Sequence, residues 1–238
     1  MNIALIGYGK MGKAIEEIAV QKGHTIVLKI DENNTADFTK ENIAKADVAI
    51  EFTGPSAAFE NIKQAMAFGI PVVSGSTGWL ERMQEIKDFC KANNGAFIHT
   101  NNFSVGVNIF FEVNKRLAAL MSKHPDYSIQ MEEIHHTQKK DAPSGTALSL
   151  AEQILENIPR KGSWVNHVSD KPEELEIISL RIDPAPGTHK VKYSSEIDDI
   201  EIIHTAHNRK GFASGAVLAA EFLHDKKGIF SMKDVLGL

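Results

Sequence analysis

Along the first hundred residues, short apolar runs alternate with stretches of helical spacing. The runs are IALIG (3–7), TIVLKI (25–30), ADVAIEF (46–52), PVVSG (71–75) and AFIHT (96–100). Helical periodicity occupies Lys10 to Lys22, Ala57 to Phe68, and Leu80 to Ala92, the last ending near Asn94 and Gly95. Apolar runs of this length, alternating with helices, predict βαβ units and a parallel sheet. Their nearly continuous apolarity predicts strands covered on both faces.

The pattern changes after about residue 104. SVGVNIFFEVNKRLAALM (104–121) predicts a long helix, YSIQMEEIH (127–135) a strand, and GTALSLAEQILENI (145–158) a helix starting at its SGT. A polar stretch over 159–174 precedes three predicted strands, LEIISLRI (175–182), THKVKYSS (188–195) and IEIIHTAH (200–207). GFASGAVLAAEFLHD (211–225) predicts a helix, and FSMKDVLGL (230–238) closes the chain. Strands grouped in this way predict a second, α+β segment with a mixed or antiparallel sheet.

A chain of 238 residues suits one large domain or two small ones. The formal net charge of −5, with no long basic run, argues against a broad nucleic-acid-binding face. Cys90 is the single cysteine, so no internal disulfide is expected, and it reads as a buried helical thiol. No run approaches the ~18 consecutive apolar residues of a membrane span. The opening MNIALIGYG lacks the order of segments found in a signal peptide. A cytoplasmic location is expected.

GYGKMG (7–12) follows the first strand and opens a helix. That context turns a common glycine pattern into a dinucleotide-binding fingerprint and makes the first domain Rossmann-type. Gly7 allows the tight turn, Gly9 close approach of the backbone to a pyrophosphate, and Gly12 close packing of helix on strand. The helix N-terminus offers N–H groups to the phosphates, so Tyr8, Lys10 and Met11 complete the candidate loop. Asp31 stands nineteen residues after Gly12, the place of an acid that takes the ribose hydroxyls of NAD. Glu32 follows it, and two acids repel a 2′-phosphate. The cofactor expected is therefore NADH or NADPH, with NADH favoured.

HHTQKKDAPSGTA (135–147) packs two histidines, two lysines and an aspartate into seven residues. An anionic ligand needs a cation and free N–H donors. Lys139 or Lys140 supplies the charge, while Ser144, Gly145 and Thr146 at a helix start supply hydroxyls and N–H groups. Histidine gives an acid or base near neutral pH. Together these form a carboxylate-binding site with a proton donor. His135, His136, His204 and His207 lack the spacing of a metal site, so no metal is expected.

The stretch from Glu133 to Ala147 resembles the signature E-x-H-H-x-x-K-x-D-A-P-S-G-T-A of the dihydrodipicolinate reductase family. AIEFTGP (49–55), SGSTG (74–78), NNFSVGVN (101–108), RKGFASGA (209–216) and MKDVLGL (232–238) extend the resemblance over nearly the whole chain. The resemblance implies reduction of a cyclic imine dicarboxylate with NADH or NADPH, in the diaminopimelate route to lysine. It implies that His135 and Lys139 are the catalytic proton donors. It implies that His136, Ser144, Gly145 and Thr146 bind substrate. Gly75, Ser76 and Thr77, with Thr100, Asn101, Asn102 and Phe103, would hold the nicotinamide half of the cofactor. The implied fold is a Rossmann domain over 1–104, completed by C-terminal helices over 209–238. A substrate domain over 105–208 would build a homotetramer, and the two domains would close on their ligands. Ser76 replaces a threonine of the family pattern, and DPAPG (183–187) replaces a more open turn. Two rival readings are another Rossmann dehydrogenase acting on a small carboxylate and a non-catalytic NAD sensor. The first lacks a reason for the H-H-x-x-K-x-D-A-P-S-G-T string, and the second lacks a nucleic-acid or partner module.

Overall fold

The computed structural model describes every residue except Arg209. Arg209, where the expected C-terminal part of the first domain begins, lies outside the described residues. In chain order the elements begin with β1 (Asn2–Ile6), α1 (Lys10–Gln21), β2 (Thr25–Ile30), α2 (Lys40–Ile43) and β3 (Val48–Glu51). They continue with α3 (Pro55–Ala67), β4 (Val72–Ser74), α4 (Met83–Ala92), β5 (Ala96–His99) and α5 (Val105–Met121). Then come β6 (Ser128–His135), α6 (Gly145–Asn157), β7 (Ser163–Val165), β8 (Glu174–Arg181), β9 (Gly187–Ser194) and β10 (Asp199–Ala206). The chain ends with α7 (Lys210–Leu223), β11 (Gly228–Phe230) and α8 (Met232–Leu236). Two compact units result, Met1–Val105 with Lys210–Leu238, and Gly106–Arg209.

The first unit is a six-stranded sheet in the order β11-β5-β4-β3-β1-β2. Every pairing in it is parallel. Alternate residues of β1 face opposite sides: Ala4 and Ile6 join one core, Ile3 and Leu5 the other. The first core is closed by Ile43 of α2, Phe59 and Ile62 of α3, and Ile86 and Cys90 of α4. The second is closed by Ile15 and Ala19 of α1, Val217 and Leu223 of α7, and Met232 of α8. The buried Cys90 fits its expected place, and burial pushes its thiol pKa up. The strand order reverses between β1 and β3, and such a switch point opens a crevice at the carboxyl ends of the strands.

The second unit is a mixed sheet in the order β10-β9-β6-β8-β7. β6 pairs parallel with β8 and antiparallel with β9. One face of this sheet carries Ile129, Met131, Ile177, Val191 and Tyr193 against Phe110 of α5 and Leu150 and Ile154 of α6. The α6 helix starts where expected, with Ser144 accepting the Ala147 N–H at 3.3 Å as its N-cap.

Three elements depart from the sequence pattern. The polar stretch 159–174 contains β7, a three-residue edge strand on β8. The chain end contains β11, which adds a sixth strand beside β5, so more than helices completes the first sheet. The short α2 lies between β2 and β3. Each is too short to show a period of its own, and the two strands are drawn in by hydrogen bonds to a partner.

No helix among the described residues is long and apolar enough to cross a membrane. α7 packs so closely that a Cβ on Gly215 would stand 1.8 Å from the Phe103 carbonyl oxygen. Gly215→Ala is therefore expected to cost about 1–3 kcal/mol of stability, the range for overpacking. Urea denaturation of the variant against the parent chain checks this.

Candidate active site

The glycine loop sits at the switch point, directly after β1. Gly7 has φ +99°, and a Cβ there would stand 2.1 Å from the Phe52 carbonyl oxygen. A Cβ on Gly12 would stand 2.4 Å from the Gly7 carbonyl oxygen. A Cβ on Gly9 would meet nothing within 4 Å. Packing thus demands the first and third glycines, while the second borders open space beside the start of α1. The first-turn N–H groups of a helix have no helical acceptor, so this space fits a pyrophosphate. Lys10 is exposed and Met11 is half-buried against the core. The Tyr8 hydroxyl donates to Glu16, and Lys29 lies 2.6 Å from Glu16 and 4.9 Å from the Tyr8 ring. At the end of β2, Asp31 accepts the Asn33 N–H at 2.7 Å, while Glu32 is exposed.

Of the remaining predicted cofactor residues, Gly75, Ser76 and Phe103 meet around Glu51, which ends β3, and Phe52, the next residue. Glu51 is fully buried. Its carboxylate accepts from Ser74 Oγ at 2.6 Å, Ser76 Oγ at 2.7 Å, and the Thr53 N–H at 2.8 Å. The carbonyl of Ser76 accepts from Trp79 Nε1 at 2.8 Å and from His99 Nε2 at 3.0 Å. Burial holds the His99 pKa low, although Ser76 and Glu51 pull the other way. Gly75 is pressed against the Phe52 ring, where a Cβ would approach to 2.1 Å. Phe103, buried, tilts against the same ring at 5.7 Å. Thr100 Oγ1 accepts the Asn102 N–H at 3.1 Å, shaping the turn that carries exposed Asn101. Thr77, next along the chain after Gly75 and Ser76, is exposed. Phe52 therefore touches all three segments: the glycine loop, Gly75, and Phe103.

In the second unit the polar loop leaves β6 at His135 and enters α6 at Ser144. Its centre is Glu133, with no exposed surface. Oε1 accepts from Arg181 at 3.1 Å and Oε2 accepts the Ser144 N–H at 3.1 Å. His135 Nδ1 stands 3.3 Å from Oε2, an ion-pair distance, but off line for a hydrogen bond. His189 Nε2 lies 3.8 Å from Oε2 and 3.0 Å from Ser144 Oγ. Burial raises the Glu133 pKa, but the neighbouring His135, Ser144, Ser179 and Arg181 together outweigh it and hold the group well below the usual carboxylate range. Glu133, His135 and His189 offer donor atoms within 4.8 Å of one another. Both carboxylate oxygens are already engaged, and the guanidinium of Arg181 supplies the balancing charge.

Arg181 also donates to the carbonyls of Asp141 at 2.6 Å and Lys139 at 3.4 Å, so it holds the loop along its length. Lys139 is half-buried and bonds both oxygens of Asp141 at 2.8 Å. This lysine holds the Asp141 pKa down. Thr137 donates to Asp183 from its N–H at 3.1 Å and its hydroxyl at 2.6 Å. His136, Gln138, Asp183, Pro184, Pro186 and Asn208 line a cavity of about 310 Å³. Gly145 is exposed and a Cβ on it would meet nothing within 4 Å, while Thr146 is half-buried one residue on. Lys140 is exposed.

A family model described as "Dihydrodipicolinate reductase, N-terminus" matches residues 1–103, and one described as "Dihydrodipicolinate reductase, C-terminus" matches residues 106–236. The chain belongs to the dihydrodipicolinate reductase family. A 4-hydroxy-tetrahydrodipicolinate reductase of Christiangramia forsetii is 52% identical over 99% of this chain and 98% of that protein. The corresponding protein of Methanocaldococcus jannaschii is 41% identical over 82% of this chain and 72% of its own length. Among solved structures, a dipicolinate-bound dihydrodipicolinate reductase from a Paenisporosarcina species superposes with a TM-score of 0.77. It is 23% identical and covers 97% of both chains, so it shows the shared fold.

Four residues that organise these sites have no role predicted from the sequence. Arg181 and His189 lie on strands far along the chain from the loop they serve. Glu51 and Phe52 lie within AIEFTGP, in a run that reads as an ordinary core strand. For Glu51, Arg181 and His189 a signal was present, because a charged or polar residue inside an apolar alternation needs a buried partner.

His189 makes one consequence measurable. Burial, and next the neighbouring His135, lower its pKa from 6.5 to about 4, although Glu133 opposes the shift. Between those values the unfolded chain takes up a proton there that the folded chain does not. Stability is therefore expected to fall as pH drops through that window. Replacing His189 by Gln should flatten the slope, as read from urea midpoints at pH 7, 6 and 5.

Proposed function

We propose that this chain reduces the cyclic imine 4-hydroxy-tetrahydrodipicolinate to tetrahydrodipicolinate with NAD(P)H, in lysine and diaminopimelate biosynthesis, as a cytoplasmic homotetramer. One observation carries the site assignment: His135, Lys139 and the start of α6 are all tied to the buried Glu133, directly or through Arg181.

NADH or NADPH, when bound, supplies the hydride. Gly7, Gly9 and Gly12, with Tyr8, Lys10 and Met11, form the pyrophosphate turn, and Asp31 takes the ribose. Gly75, Ser76 and Thr77, with Thr100 to Phe103, hold the nicotinamide half, and the buried hydrogen bonds of Glu51 and Ser76 support that role. NADH is the preferred cofactor. In support, the charge of Lys29, the cation nearest Asp31 along β2, is matched by Glu16, leaving Asp31 and Glu32 to repel a 2′-phosphate.

His135 donates the proton that completes the reduced ring. Lys139 is a second donor and meets a substrate carboxylate, for which that carboxylate competes with Asp141. His136, Gly145 and Thr146 bind substrate, and Ser144 presents the helix start while its hydroxyl caps α6. Uncovered space at Gly145 supports close approach of a carboxylate to the helix N-terminus. Assembly into a homotetramer is supported by the edge of the second sheet. There β10 pairs only with β9 among the described strands, and Ile203 is 55% exposed.

NADH oxidation, with the imine freshly made from aspartate semialdehyde and pyruvate, tests the activity. His135→Gln is expected to lower kcat by ~10²–10⁴, the range for a lost general acid, with little change in NADH binding. Near-normal turnover removes His135 from the proton-donor role. Lys139→Ala should lower kcat and raise KM together. The ratio of kcat/KM for the two cofactors should favour NADH, and equal values would reject the charge reading at Asp31 and Glu32.

A further inference from the structure

We propose that Glu133 is the positioning residue for His135: it faces Nδ1 of the ring and so assigns Nε2 to the substrate. This rests on the reading of His135 as proton donor and adds the residue that orients it.

Glu133 has no exposed surface, so it acts only through its neighbours. Arg181 at 3.1 Å on Oε1 and the Ser144 N–H at 3.1 Å on Oε2 fix the carboxylate from two other elements. His135 Nδ1 is then 3.3 Å from Oε2, sealed from solvent and without any hydrogen bond. A buried ring nitrogen facing a fixed anion keeps its hydrogen. The opposite edge of the ring faces Gly187, where a Cβ would stand 3.1 Å from Nε2. Any other residue at 187 would put a side chain against that nitrogen, and glycine leaves it bare.

His189 competes for the same carboxylate but is held otherwise. Its Nε2 is 3.0 Å from Ser144 Oγ and farther from Glu133, at 3.8 Å. The ring with a free edge is His135.

The proton step balances simply. The N–H bond at Nε2 breaks and its electron pair stays on nitrogen. A pair from the electron-rich reduced ring forms the new C–H bond. The imidazole left behind carries its remaining hydrogen on Nδ1, facing Glu133, and takes a fresh proton at Nε2 from solvent.

The test compares Glu133→Gln, His135→Gln and the double variant in the NADH-dependent assay. It adds the ¹⁵N imidazole spectrum of the unmodified enzyme. Glu133→Gln should lower kcat ~10–100-fold, the range for removing a partner that orients a functional histidine, with KM nearly unchanged. The double variant should be no slower than His135→Gln alone, because both act through one group. The spectrum should show neutral His135 as the Nδ1–H tautomer. An Nε2–H tautomer, normal turnover in Glu133→Gln, or losses that add in the double variant would each overturn the inference. The spectrum decides the matter even where Glu133→Gln does not fold. Normal turnover in His135→Gln would instead overturn the proton-donor reading and this inference with it. A slow His135→Gln beside a normal Glu133→Gln overturns the inference alone.

Discussion

Glu133 and Arg181 form an ion pair in which the carboxylate has no contact with water. A carboxylate without partners at that depth would cost several kcal/mol. The groups that relieve this cost come from three segments: Arg181 and Ser179 from β8, Ser144 from the start of α6, and His135 from the end of β6. Satisfying one charge therefore brings three elements to one point. Arg181 uses its other donors on the carbonyls of Lys139, Asp141 and Leu180, so the loop between β6 and α6 takes one shape rather than many. A buried pair of this kind adds less to stability than to a defined arrangement, and a defined arrangement is what proton transfer needs.

The first unit uses a related device without a cation. Glu51 is buried among hydroxyl and N–H donors from Thr53, Ser74 and Ser76. Its neighbour Phe52, just past the end of β3, serves as a wall for Gly7, Gly75 and Phe103. One residue satisfies polar groups and the next excludes side chains, at the carboxyl end of a central strand. That is where open parallel sheets bind ligands, because the strand order reverses there and leaves a crevice. Gly9 remains open at the same edge while Gly7 and Gly12 are closed by packing.

The two units differ in how plainly their sequences describe them. Strands β1 to β5 are apolar on both faces, so each shows as a run, and each is followed by turn residues. The second sheet has one face on α5 and α6, and β6 alternates buried and less buried residues accordingly. β7 and β11, three residues each, escape notice because their pairing partners, β8 and β5, supply the stabilisation. The cavity at His136 also escapes, since Asp183, Pro184 and Pro186 come from the turn between β8 and β9. Gln138, two residues after His136, lines that same cavity.

By itself the sequence determined the alternation of strands and helices, the glycine turn after β1, and the helix start at Ser144. These depend on residues within a few positions of one another, where spacing, φ preference and capping act locally. The motif from Glu133 to Ala147 was legible for the same reason. What only the tertiary structure decided is which charges meet. Arg181 reaches Glu133 because β6 and β8 are parallel neighbours, with His135 opposite Arg181 in the register. His189 reaches it because β9 runs antiparallel on the other side, with His189 opposite Glu133. Sheet pairing joins residues some fifty positions apart, and no local pattern encodes it, because its free energy comes from burying the finished sheet.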